Sequence, residues 1–333
     1  MIGEDLLYAG ITELSTRIRA RRLSPVELAE AYLERIQSFS PALNAFETVA
    51  GDVALMQARL AESDLKLGRW HGPLHGIPWG AKDLLATAGL RTTWGATPLK
   101  EQTFDFDATV VTRLREAGAV LLGKCAMVEL AGGLGYRFAD ASVSGPGRNP
   151  WDPKRWTGGS SSGSGAAVAA GLATFALGTE IWGSILCPAA FCGLTGLRPT
   201  YGRVSRAGAM VCSWTFDKVG PLARSAADCR HVLGVIAGAD PDDPTSSSEP
   251  VDLKPRRLDL TKLKAALVPL DFTVKGAELE VKAAFDNAVS SCVLRDSGSR
   301  RRSCPRCRSA NWRGSSSRTR RSRPSRSSTR TGA

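Results

Sequence analysis

Residues 157–171 read TGGSSSGSGAAVAAG, four serines and five glycines crowded together ahead of a run of alanines. Three motifs compete for this stretch. Gly159 to Gly163 has the G-x-S-x-G form of a nucleophile elbow centred on Ser161, but an elbow follows a buried strand. The preceding SGPGRNPWDPKRW, residues 144–156, is no such strand. A phosphate loop needs that strand as well as a closing Gly-Lys-Ser/Thr, and no lysine occurs between Lys154 and Lys218. A flexible linker is also made of Gly and Ser, but it would continue into polar sequence.

The next segment is instead the least charged part of the chain. From Gly163 to Leu197 the only ionisable acid or base is Glu180. Gly, Ser, Pro and small alanines interrupt this run, and strong apolar residues do not accumulate over the roughly 20 positions of a membrane span. The stretch therefore leads into a buried core. A Gly/Ser segment that feeds a buried helix brings backbone very close to a neighbour, and glycine permits that approach.

Nearer the N-terminus, Ser24-Pro25-Val26-Glu27 is a capping box with proline at the first helical position, and Leu28, Tyr32, Leu33 and Ile36 repeat at helical spacing. A helix over about 25–39 is predicted. A second helical pattern covers 52–67, followed by GRWHGPLHGIPWGAKDLL, whose turn residues surround a short buried segment ending at Lys82. Asp107 can cap a further helix closed by Gly118, and Ala119–Leu122 reads as a buried strand. The same helix-then-strand order recurs at 166–172 and 174–177, and this alternation indicates an α/β layered fold. Residues 227–238 and 278–293 read as helices, and 265–269 as a strand.

The 333 residues hold 43% apolar content, enough for a sizeable core. The start, MIGEDLLYAG, carries acids where a signal or transit peptide would carry a basic segment, so a cytoplasmic location is expected. Cys125, Cys187, Cys192, Cys212 and Cys229 lie in apolar sequence and are expected to be free, buried thiols. Cys304 and Cys307 form a lone C-x-x-C with no histidine beyond His231 to complete a metal site.

The formal net charge of +12 is localised. Residues 295–333 hold thirteen arginines, eleven serines, one acid and no lysine, and residues 1–294 balance to zero. Such a tail could bind RNA phosphates electrostatically, yet Trp312 is its only aromatic platform. Helical sequence runs through Val293 and stops near Gly298, where composition changes abruptly to Arg, Ser, Pro and Cys. The tail from 294 onward is therefore expected to be disordered and to derive from a shifted reading frame. Residues 1–293 would then be a domain truncated at its C-terminal side.

Histidine is scarce, and His231, inside an apolar helical pattern, is the sole candidate base downstream of the serines. A core or surface role fits it better. Lys82 is the alternative: a desolvated lysine loses its proton more readily and can serve as general base for a hydroxyl nucleophile.

GIPWGAKDLL around Lys82, then GGSSSGSGAAVAAG, then GSILCPAAFCGLTGLRPTYGRVS together resemble the amidase signature family, in order and at its spacing, from the helix at SPVEL to about residue 290. The resemblance implies an α/β/α fold around a large mixed sheet. It also implies a triad of Lys82 as base, Ser160 as a relay serine on a cis peptide bond, and Ser184 as nucleophile 24 positions later. The backbone N–H groups of Ile181, Trp182, Gly183 and Ser184 would form the oxyanion hole. Ser161, Ser162 and Ser164 would be structural.

The implied activity is hydrolysis of a small-molecule carboxamide to carboxylate and ammonia or amine through an acyl-enzyme, without metal or cofactor. Where members commonly read D-T-G-G-S-I-R, this chain reads E-I-W-G-S-I-L, so tryptophan replaces a glycine at 182 and leucine an arginine at 186. Within the family the alternative is the glutaminase component of a tRNA-dependent amidotransferase, the one route besides the tail by which nucleic acid would enter. From another class, an inactive remnant or an RNA-binding protein is the alternative.

Overall fold

The computed structural model describes residues 2–132, 138–253 and 279–294. The chain divides into two units, 1–253 and 254–333. In the first, helices α1 (Glu4–Leu7), α2 (Ile11–Arg19) and α3 (Pro25–Leu43) precede β1 (Phe46–Val49), α4 (Gly51–Lys66) and β2 (Pro78–Lys82). Then come α5 (Thr109–Glu116), β3 (Val120–Cys125), a small hairpin of β4 (Arg148–Asn149) and β5 (Asp152–Trp156), and α6 (Ser162–Ala169). The unit closes with β6 (Phe175–Glu180), α7 (Leu186–Phe191), β7 (Thr195–Gly196), β8 (Lys218–Ala223) and α8 (Ala226–Ile236).

The main sheet has the order β1-β3-β2-β6-β8-β7. β2 runs parallel to both β3 and β6, whereas β1 on β3 and β8 on β6 are antiparallel, so the sheet is mixed as expected. β2, β3 and β6 are buried at every position, which requires packed layers on both faces. α6 lies against β2, β3, β6 and β8, and α4 packs on β3. Trp79 of β2 stacks on Phe175 of β6 with ring centroids 5.9 Å apart.

Ser24 caps α3 as its sequence suggests, its hydroxyl accepting from Val26 N and Glu27 N. The helix runs past the expected end at 39 to Leu43 and stops at Asn44, which takes the left-handed conformation. Asp107 does not cap α5. Its carboxylate instead accepts from Ala88 N at 2.8 Å and pairs with Arg115, and the helix begins after Ala108 with no side-chain cap. β3 continues past Leu122 because Gly123 and Lys124 stay in the ladder. A Cβ on Gly123 would meet Thr48 O at 2.2 Å, so glycine there marks a close crossing, not a loop.

The helix expected from 166 starts at Ser162, inside the Gly/Ser run, and β6 extends to Glu180. Tertiary packing overrides the poor helix propensity of Ser and Gly here. A Cβ on Gly163 would lie 2.3 Å from Ala45 O and 2.4 Å from Ala126 N, both backbone atoms that cannot yield locally. The close approach anticipated from the glycines is therefore against the β3 side of the core. Gly163→Ala is expected to destabilise the fold by about 3 kcal/mol or more, measured as a loss in urea midpoint at constant m-value.

Cys125, Cys192 and Cys229 are free and buried, as expected, and Cys187 is half-buried. Cys212 is free but exposed, because it lies in the segment ahead of β8 and outside the sheet. In the second unit α9 (Leu279–Leu294) matches the predicted helix, and the strand read at 265–269 lies outside the described residues, as do Cys304, Cys307 and the Arg/Ser segment. Among the described residues no helix is long and apolar enough to cross a membrane.

Candidate active site

Lys82 is the last residue of β2, and its side chain is completely buried. Its Nζ donates to Ser160 Oγ at 2.8 Å and to Thr179 Oγ1 at 2.9 Å. Thr179 comes from β6, which pairs with β2, and Ser160 from the turn that enters α6. The peptide bond Gly159–Ser160 is cis. Ser160 is fixed from its other side by its carbonyl, which accepts from Val128 N at 3.1 Å.

Burial disfavours the ammonium form of Lys82 and brings its pKa from 10.5 down to about 7, against the pull of Asp217, Cys212 and Glu180. Asp217 is held close by Cys212 N and Ser213 N, which donate to its Oδ2 at 2.7 and 2.9 Å.

Ser184 sits in the turn between β6 and α7 and is 6% exposed. Its carbonyl accepts from Ser161 N at 3.3 Å, which ties this turn to the Gly/Ser turn carrying Ser160. Ile181, Trp182 and Gly183 occupy the same turn. Its left-handed residue is Gly183, at φ 100°, and Trp182 is not among the residues with positive φ. Tryptophan therefore enters this turn without the conformational freedom of glycine, and its indole stands 74% exposed beside Ser184.

Glu180 organises the turn from below. One oxygen of its buried carboxylate accepts from Ile185 N and Leu186 N at 2.8 Å each, at the start of α7, and the other faces Arg198 Nη1 at 3.3 Å. A carboxylate at a helix N-terminus satisfies amide donors that would otherwise be unpaired.

The remaining serines hold backbone. Ser161 Oγ accepts from Thr179 N at 3.3 Å, Ser162 Oγ donates to Ala126 O at 3.5 Å, and Ser164 Oγ donates to Leu177 O at 2.9 Å. His231 lies on α8 with its Nε2 3.1 Å from Thr12 Oγ1.

The structure thus brings Lys82 to Ser160 and links the backbone of Ser184 to the same loop. Three supporting residues went unassigned in the sequence. Glu180 had a visible signal, as the single ionisable group in an uncharged run. Thr179 and Asp217 had none, since their roles arise from strand pairing and a distant loop.

Comparison with known proteins bears on this geometry. The family model described as Amidase matches residues 27–305. The A component of the glutamyl-tRNA(Gln) amidotransferase of Carboxydothermus hydrogenoformans is 42% identical over 287 residues, covering 86% of this chain and 58% of that protein. The "Putative amidase AmiD" of Mycobacterium tuberculosis is 45% identical over 253 residues, covering 76% of this chain and 52% of its own. Among solved structures, the native peptide amidase of Stenotrophomonas maltophilia superposes with a TM-score of 0.77 at 36% identity, covering 86% of this chain and 60% of that one. The chain spans between half and three fifths of the length of these relatives.

Proposed function

The chain belongs to the amidase signature family, and from that premise we propose that it hydrolyses a carboxamide to a carboxylate and ammonia or amine through an acyl-enzyme on Ser184. The observation that carries the reading is the fully buried Lys82 amine, with a pKa of about 7, 2.8 Å from the Ser160 hydroxyl.

A hydroxyl between a neutral amine and a nucleophile can give up one proton while taking another. Lys82 accepts the proton of Ser160, Ser160 takes that of Ser184, and Ser184 Oγ attacks the carbonyl carbon. Backbone N–H groups of the Ile181–Ser184 turn stabilise the oxyanion. The proton stored on Lys82 returns through Ser160 to the leaving nitrogen, which departs as ammonia or amine. Water then enters by the same relay and releases the acid. None of these steps draws on a metal or cofactor.

Residues 1–293 are read as the enzymatic part, and the Arg/Ser-rich segment after it as separate, on composition alone. Five free thiols among the described residues support a reducing compartment such as the cytoplasm. A stand-alone amidase is favoured by Trp182 and Leu186, which depart from the family pattern beside the nucleophile. The second reading, a glutaminase that works with partner proteins and tRNA, is favoured by the 42% identity to an amidotransferase component.

The test is ammonia release by the full chain from C-terminal peptide amides and from glutamine. Turnover of the amides without any partner is expected. Glutaminase activity that appears only with partner proteins and charged tRNA would establish the second reading instead.

A further inference from the structure

A second buried cluster lies on the opposite side of β2 from Ser160. Alternation along the strand sends Lys82 to one face and Ala81 to the other, and Asp83 follows in the turn that leaves the strand. On β3, Lys124 is the register partner of Ala81 and so lies on the face away from Lys82, where its amine meets the Asp83 carboxylate. Both charged side chains are completely buried.

Lys124 Nζ donates to Leu85 O at 2.5 Å and to Thr92 Oγ1 at 2.6 Å, and it stands 3.8 Å from Asp83 Oδ1. Oδ1 has no hydrogen-bond partner, so this ammonium is what compensates it. Asp83 Oδ2 accepts from Thr93 Oγ1 at 2.5 Å and from Thr93 N at 3.0 Å. The backbone of Asp83 donates to Cys125 O and accepts from Trp94 N, each at 3.0 Å. Leu85 N closes the turn onto Lys82 O, also at 3.0 Å.

A buried ion pair adds little stability over an apolar pair of the same size. Two buried charges beside the reacting lysine call for another reason, and their contacts supply it. They clamp the turn that ends β2 and brace it with residues 92–93.

We infer that Asp83 and Lys124 are positioning residues, which fix the end of β2 so that the Lys82 amine meets the Ser160 hydroxyl; the inference rests on the reading of Lys82 as the base. The pair carries no net charge and its contacts run to the turn that ends β2, so what it sets is where the amine sits.

The test measures the rate of labelling by a serine-directed phosphonate against pH, together with thermal unfolding, on the full chain. Asp83→Asn and Lys124→Met each strand one buried charge and should lose stability. The double variant removes both charges and should regain stability. Its plateau labelling rate should nevertheless be about 100-fold below wild type, the scale of an ångström misplacement, with the pH midpoint unmoved.

A folded double variant with a wild-type plateau overturns the inference, as does a shifted midpoint with the plateau kept. Should the double variant fail to fold, Thr93→Val decides by the same criterion, since it strips Asp83 of its hydroxyl donor at constant volume. Lys82→Ala, run in parallel, separates the premise: wild-type labelling there removes the base assignment itself and the inference with it.

Discussion

A Ser184→Ala protein is expected to lose amide hydrolysis by about a million-fold and to lose labelling by a serine-directed phosphonate. Alanine offers no oxygen to carry the acyl group, so Lys82, Ser160 and the Ile181–Ser184 turn have nothing to activate. The fold should be unaffected, since the substitution removes one hydroxyl and leaves intact the backbone bond from Ser161 N to the residue 184 carbonyl. The measurement is ammonia release, with the labelled peptide identified by mass spectrometry in the wild type. A label found on Ser160 or Ser161, or undiminished labelling of the variant, would move the nucleophile elsewhere.

Replacing Lys82 by alanine should lower turnover by about 100- to 10,000-fold, the range that one positioned base supplies. Lys82→Arg should do no better, because a guanidinium stays protonated and cannot accept the Ser160 proton. The wild-type pH profile carries the same assignment. In the proposed relay Lys82 acts only when neutral, and with a pKa of about 7 the rate should rise about tenfold per pH unit up to that point and then level.

Unfolding does not imitate this profile. Below pH 7 Lys82 is protonated in both the folded and the unfolded chain, so its contribution to stability is constant there. Between about 7 and 10.5 only the unfolded chain is protonated, and stability rises with pH across that window. Near-normal turnover in Lys82→Ala would return attention to His231, whose ring engages Thr12 on α2.

Part of the element order was legible in the residues before any packing was known, whereas α1, α2, β1, the β4–β5 hairpin, α7, β7 and β8 were not. Periodicity placed α3, α4, α8 and α9, because each carries apolar residues at helical spacing. The lone acid in the run from Gly163 to Leu197 announced a buried core. The ordered motifs around Lys82, Ser160 and Ser184 carried the family, which the match over residues 27–305 establishes. Local rules misjudged Asp107, because a cap residue and an ion-pair partner look alike until Ala88 and Arg115 are in place. They also started α6 four residues late, since Ser and Gly are poor helix formers unless a neighbour's backbone demands their small size.

Most of the surroundings of the candidate catalytic groups came from packing. Thr179 reaches Lys82 only because β6 pairs with β2. Glu180 caps α7 and meets Arg198 only after the turn closes. Lys124 finds Asp83 only through the parallel register of β2 and β3. The Thr179–Lys82 and Lys124–Asp83 contacts join residues on elements whose side-by-side placement no local pattern encodes. The pKa of Lys82 likewise depends on complete burial, a property of the packed layers around β2 and not of the segment GIPWGAKDLL in which the lysine is written.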